Sequence, residues 1–468
     1  MQDRYCRSIN YCAILNMDIM KKKLHLFIPY FILITFLSLL SVVVRGAFQD
    51  SGQFLHDADF QLFVLGGMIF IGYYINRIAP KTIIPSFVWA IFAGIALQPF
   101  LSFFTNDIDS LKIVMEVFGA IILFAGGLEI PFRNFKKWFV PIASLSLVGV
   151  IFSSVGFAFI MYWIMNLVGE FDAALIPSIL ILSAALSSTD PTAIIPTLNM
   201  LKFKRPQLKQ IAISESALTD VSGSIFTRFL LLALISAPAI NNGIFSYFGP
   251  LLQKSTYDAF ALQIISGILV GYFGFVLIKK FYYNQEIHEE SDPALLLSIP
   301  IFTFVLGNIL AGAGFLAAFT SGLLTDAFGS VKKVSHFYDS LLNHLIKPFI
   351  FIILGALVPL STLIKLAPIG IGAALIFMFV LRPIVVFVSL APWWIQNVFK
   401  VKDLLFLSLI RETGIIAAIL LVIAATFDII QSEFVIAIGM WVILMTLVIE
   451  PPLTPWLAKK MGIAEEIR

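Results

Sequence analysis

The stretch ALSSTDPTAIIPTLNM, residues 185–200, interrupts a long apolar run with an aspartate followed at once by a proline. Pro191 has no backbone N–H, and its ring clashes with the preceding turn. Asp190, standing before it, is pushed away from helical geometry. A helix through this segment is therefore expected to break at Thr189–Pro191. If the run lies in a bilayer, such a break is tolerated only where it faces protein or a watery cavity. The rest of the chain puts it there. The 468 residues are 59% hydrophobic, 14% aromatic and 13% charged, about half the roughly 25% of charged residues in a soluble domain. Apolar stretches of about 17 residues or more, enough to span a bilayer, follow one another. The expected fold class is all-α: a polytopic membrane protein of about 13–14 transmembrane helices.

Candidate spans run over 24–44, 60–78, 82–100, 111–130, 139–168, 173–199, 210–236, 259–280, 294–311, 314–327, 348–366, 368–390, 404–426 and 432–456. Basic residues favour cytoplasmic loops. Starting with Lys21, Lys22 and Lys23 inside, alternation places 22 lysines and arginines in inside loops and leaves only Arg45, Lys112, Lys254 and Lys365 outside. Both termini are then expected in the cytoplasm, residues 1–23 and 457–468 forming short tails. The opening MDIMKKKLHLF (17–27) resembles a bacterial start at Met17 or Met20, so residues 1–19 read as an upstream mis-start or a floppy tail. Span 24–44 is expected as a retained extra helix or signal-anchor rather than a cleaved signal peptide, its apolar part being long and VVVRGAF a poor cleavage site. Short loops and overall length point to a prokaryotic inner (plasma) membrane. The net charge of +3 sums over loops on two sides and implies no nucleic-acid partner. Cys6 and Cys12 precede the first apolar run, so no disulfide framework is expected.

Charges at membrane depth are few, and each costs at least roughly 2.5–3.5 kcal/mol on insertion scales. Glu129, Arg411 and Glu412 read as charges near cytoplasmic span ends, Glu116 as a wetted side chain near an outer end, and Arg228 as snorkelling or paired locally. Asp190 and Asp220 are harder to dismiss. Asp220 lies about ten residues into the span after the break, at similar depth given a rise of about 1.5 Å per residue. Two successive antiparallel helices thus present two carboxylates at one level, with Thr189, Ser216 and Thr219 adding neutral oxygens. Such an oxygen-rich set suits a hard cation and not zinc or copper, which favour His or Cys. The five histidines lie in loops or near span ends. Glu215 lies beside this set, and Arg382 in FVLRPIVVF (379–387) is the best-placed cation for it, a bidentate structural tie.

These marks resemble the monovalent cation:proton antiporter superfamily, closest to its sodium/proton exchanger branch, over nearly the whole chain after about residue 60. IPSFVWAIFAGIALQP (84–99), ILFAGGLEIPFRNFKK (122–137), LSSTDPTAI (186–194), ISESALTDVSGSIF (213–226), GFLAAFTSGLL (314–324), FIILGALV (351–358), LRPIVVF (381–387) and LIRETGIIAAILL (409–421) stand in the family's order. The resemblance implies two inverted repeats with crossed discontinuous helices, over 60–236 and 294–456, joined by a linker helix at 259–280. It implies that Asp220 is the essential ion- and proton-binding carboxylate, that Asp190 and Thr189 contribute from the unwound crossing, and that Ser216 adds a hydroxyl. Sodium would sit at Asp220 and Asp190. Glu215 and Arg382 would be the supporting pair, Pro191 and Gly414 the two helix breaks, and the assembly a homodimer. Three departures are visible. Thr219 replaces the family's asparagine, Ala125 stands where many exchangers carry an acid, and RETG replaces an RG pair.

The expected function is secondary antiport of a monovalent cation, sodium first, with lithium or potassium as alternatives, against protons, serving pH homeostasis. Thr219, where the electrogenic branch has a second aspartate, together with arginine rather than lysine at 382, points to electroneutral exchange. Burial and a neighbouring like charge both disfavour an empty ionised Asp220, so sodium and protons would compete for it and the site would cross only when neutralised. No cofactor and no enzyme chemistry are expected: HExxH is absent, as is a Gly-Ser nucleophile with a mid-membrane His or Lys. An uncoupled cation channel or uniporter, and an organic-solute symporter, are the alternatives on the same fold.

Overall fold

The computed structural model describes residues 58–79, 85–130, 132–236, 254–283, 292–328 and 332–466. The span expected at 24–44 and the two cysteines lie outside these residues. Ten described helices are long and apolar enough to cross a membrane, and three shorter apolar helices accompany them.

The chain divides into two compact units, residues 1–107 with 343–359, and 108–342 with 360–468. In the first unit the described helices are α1 (Ala58–Ile78), α2 (Ser86–Thr105) and, from the later segment, Lys347–Ala356. The last two are the most closely packed. A Cβ on Gly94 would run into the Ile352 backbone, and one on Gly355 into the Ile91 backbone. Without side chains at these two points the backbones meet directly, as lipid-embedded helices do where small residues face each other. The outer face of α1 carries Leu62, Phe63 and Phe70 exposed.

The second unit holds α3 (Ile108–Leu128), α4 (Phe139–Val168), α5 (Ile176–Ala185), α6 (Pro191–Asn199), α7 (Pro206–Ser236), α8 (Lys254–Ile278), α9 (Asp292–Ala311) and α10 (Gly314–Phe328). After α11 (Lys332–Leu341) it resumes with α12 (Leu360–Ser389), α13 (Val401–Ser408), α14 (Ile415–Ala424) and α15 (Ser432–Lys460). Within it α3, α8, α9 and α10 pack on one another, while α4, α7 and α15 pack against the two interrupted spans. These two are α5–α6 and α13–α14, each a pair of short helices separated by a few non-helical residues, 186–190 and 409–414.

Two differences from the sequence expectation concern boundaries. The span expected at 348–366 runs instead over His336–Ala356, and the next begins at Leu360 rather than 368. The polar stretch KKVSHFYDSLLNH reads as loop, yet it forms an amphipathic helical entry with Val334 and Tyr338 buried. The tail expected at 457–468 carries a strand. β1 (Leu201–Phe203) and β2 (Ala464–Glu466) pair antiparallel, with Leu201 opposite Glu466 and Phe203 opposite Ala464. Lys204 extends the ladder by donating its N–H to the Ile463 carbonyl at 3.0 Å. Three-residue strands leave no periodicity to read, so nothing in the sequence announces them.

Candidate functional site

The two interrupted spans meet at their breaks. Asp190 donates its backbone N–H to the Glu412 carbonyl at 2.8 Å, and its Oδ2 accepts the Ile415 N–H at 3.2 Å. Asp190 thereby places a carboxylate on the exposed N-terminal end of α14, where backbone donors lack helical partners and the helix dipole favours negative charge. The contact needs Gly414, because a Cβ there would collide with the Asp190 carboxylate. The opposite end is served in reverse. Arg411 Nη2 donates to the carbonyls of Leu186 at 3.2 Å and Ser187 at 2.8 Å, just past the C-terminal end of α5, and Nη1 donates to Ser153 Oγ at 3.2 Å. Its guanidinium lies 4.2 Å from the centre of the Phe377 ring. A cation thus sits at a helix C-terminus, the favourable sign. Each break supplies the charge that the other break's open end requires.

This corrects the expectation that Arg411 and Glu412 are charges near a span end. They are 1% and 0% exposed and lie in the break itself. Glu412 has neither carboxylate oxygen hydrogen-bonded to another residue among those described, and Thr413 Oγ1 is likewise unpartnered. Glu450 on α15, which was not among the depth charges singled out, is 3% exposed and accepts the Arg411 N–H at 2.8 Å. Sequence signals existed for both. RET stands between two apolar runs a third of the way into its span, and Glu450 falls in an apolar run just before a double proline.

The helix α7 passes the first break with its polar face turned to it. Asp220 is 3% exposed, and Asp190, Glu129 and Glu215 are the acids close enough to act on it electrostatically. Thr219 Oγ1 lies 2.7 Å from the Ser216 carbonyl, to which it can donate, and 2.5 Å from Thr189 Oγ1, a contact in which either hydroxyl can be the donor. Ser216 is fully buried and its Oγ has no hydrogen-bond partner among the described residues. One turn beyond Asp220, Gly223 lets α7 approach the unwound segment: a Cβ there would come within 3.1 Å of Ser188 Cβ. The structure therefore gathers Asp190, Thr189, Ser216, Thr219 and Asp220 around one point. Glu215, on the same turn, accepts from Arg382 Nη2 at 2.9 Å, with both side chains 3–4% exposed.

The oxygens suit a hard cation as cargo. Ser216, one helical turn before Asp220 on α7, has a hydroxyl unpaired among the described residues, and oxygens of this kind favour hard cations over zinc or copper. Among the described residues no group of three or more His, Cys, Asp or Glu forms a resident metal centre. Ala125 is buried and offers no ligand. Arg228, whose role the sequence left open, bonds locally: Nη1 donates to Asn308 Oδ1 at 2.6 Å.

A family model described as "Sodium/hydrogen exchanger, transmembrane" matches residues 66–460. The chain is 25% identical to Na(+)/H(+) antiporter 1 of Methanocaldococcus jannaschii, over 76% of this chain and 82% of that one. It is 24% identical to the K(+)/H(+) antiporter NhaP of Alkalimonas amylolytica, over 74% of this chain and 57% of that one. Among solved structures, the sodium proton antiporter MjNhaP1 of M. jannaschii superposes with a TM-score of 0.70 at 22% identity, covering 86% of this chain and 98% of that one, a likeness of fold.

Proposed function

The chain belongs to the sodium/hydrogen exchanger family and is a monovalent cation/proton antiporter; from that premise we propose that the cation and the proton compete for Asp220. It is a transporter and not an enzyme. Asp190, Thr189, Ser216 and Thr219 complete the coordination, and Glu215–Arg382 holds α7 against α12. The observation that carries this reading is the crossing of two interrupted spans beside buried Asp220 and the unpaired Ser216 hydroxyl. Interrupted helices with open ends at one level are how many secondary transporters build cation sites. An empty, doubly negative site is costly to carry through an apolar layer. A proton or a cation removes that cost, and alternation between the two is exchange.

The finer reading takes sodium as the first substrate, with potassium the competitor that the Alkalimonas relative's name points to. It takes exchange as electroneutral, one cation per proton, because Thr219 adds no second acid beside Asp220. It retains the two inverted repeats, 60–236 and 294–456, with 259–280 as linker, a homodimer in the inner membrane, and both termini cytoplasmic.

The test is cation-driven proton flux in proteoliposomes, adding Na⁺, Li⁺ and K⁺ in turn, with wild type beside Asp220→Asn. One cation drives proton movement in wild type and none does in the variant. Full cation-driven proton flux through Asp220→Asn would overturn the assignment.

A further inference from the structure

The polar face of α7 continues past Asp220. Ser224 and Thr227 follow it at i+4 and i+7 and share its side of the helix, Thr227 standing about 10 Å further along the axis. Both line a pocket of about 60 Å³ walled also by Lys112, Glu116, Arg228 and Phe427. A water needs about 10–15 Å³ by this kind of measure, so a few waters or a partly hydrated ion fit.

The wall carries two basic side chains, Lys112 and Arg228, and one carboxylate, Glu116. Ser224 Oγ donates to the Val221 carbonyl at 2.8 Å and Thr227 Oγ1 to the Gly223 carbonyl at 2.7 Å. With their protons committed, these hydroxyls have lone pairs left to offer. Two basic side chains are engaged by neighbours. Lys112 Nζ sits 5.2 Å from the centre of the Phe427 ring, and Arg228 is held by Asn308, whose Oδ1 also accepts the Gly314 N–H at 3.1 Å. The carboxylate that remains in the lining is Glu116. The pocket lies further along two helices that pass the carboxylate pair. It is lined by residues that follow Asp220 on α7, and by Leu420, Ile423 and Ala424, which follow Ile415, the donor to Asp190, on α14. Both helices therefore place it on one side of the carboxylate pair.

We propose that this pocket is a second, transient station for the monovalent cation, between Asp220 and the membrane face on that side. Glu116 supplies its negative charge, Ser224 and Thr227 supply oxygens, and Arg228 limits its occupancy by like charge. The inference rests on the antiport reading and extends it to the route of entry. Occupancy is short because the one carboxylate is offset by the Arg228 guanidinium and the Lys112 ammonium, and a station on a route must release what it binds.

The test is the side-dependence of the apparent KM for Na⁺, or for K⁺ if wild type transports that ion, in proteoliposomes whose orientation is known. Glu116→Gln raises the KM from the pocket's face by about five- to tenfold, the scale of one lost charge contact in a wet site, and changes the KM from the other face less than about twofold. Arg228→Gln lowers the KM from the pocket's face. Equal effects of Glu116→Gln on both faces, or none, overturn the station. If Glu116→Gln does not fold, Glu116→Asp and Arg228→Gln decide, and a KM from the pocket's face that neither moves overturns it too. A wild type in which no cation moves protons would instead overturn the antiport reading, whatever the variants do.

Discussion

At Ser216 a hydroxyl is buried where it makes no hydrogen bond among the described residues, on the helix turn that also carries Asp220. A buried polar atom without a partner costs about 1–3 kcal/mol, so its retention asks for a state in which it has one. In the proposed site, a cation between Asp220 and Asp190 would provide that state. Ser216→Ala separates this from a packing role. Removing a hydroxyl that bonds nothing leaves the melting temperature unchanged or slightly raised, while the KM for the transported cation rises several-fold, the effect of about 1 kcal/mol of lost coordination. A fall in melting temperature with unchanged KM would place Ser216 in the scaffold alone. Glu215 and Arg382 show the contrasting arrangement. Their charges are satisfied by each other at 2.9 Å, and losing one partner of such a buried pair costs about 3–5 kcal/mol.

At the scale of the element, the unit that matters is the crossed pair of interrupted spans. Gly414 stands where a side chain would enter the Asp190 carboxylate. Gly414→Ala therefore pushes Asp190 off the N-terminal end of α14, and cation-driven proton flux falls at least about tenfold, the scale of one misplaced charge contact. Wild-type flux with Ala at this position would show that the crossing tolerates being spread. The two breaks were not equally legible. The first announces itself, because an Asp-Pro pair inside an apolar run breaks a helix for stated steric reasons. The second contains no proline, and RETG reads as a break only through family resemblance. Hence Arg411 and Glu412 could be taken for span-end charges although their carbonyl, ring and amide partners come from 224 residues earlier and from residues on α12 and α15. Contacts of that range are set by packing and leave no local pattern. The same holds for β1–β2 and for the amphipathic start of the span at His336–Ala356, where KKVSH (332–336) reads as loop.

At the scale of the whole molecule, the alternation of spans fixes which loops share a face. The count of basic residues predicts that the segment at Lys202 is cytoplasmic and that at Asn106 is not. In a background with Cys6 and Cys12 replaced by serine, Lys202→Cys reacts with an impermeant maleimide from the cytoplasmic side only, and Asn106→Cys from the opposite side only. Both side chains are exposed. Reaction of both from one side would mean an odd number of spans between them has been lost or gained. The exposed apolar residues of α1 and of α8, such as Phe63, Phe70, Leu269 and Tyr272, present lipid-compatible surface that a second copy can also cover. Native mass spectrometry in lipid nanodiscs reads which of the two covers them.

The reciprocal capping of the two breaks also has a consequence in time. The carbonyl of Ser187 waits for a guanidinium 224 residues downstream. At synthesis rates of about 5–20 residues per second, the first interrupted span is made roughly 10–45 s before its cap exists. For that interval the nascent chain holds an open helix end in or beside the bilayer with no protein partner for it. The first half is thus made well before the residue that completes it.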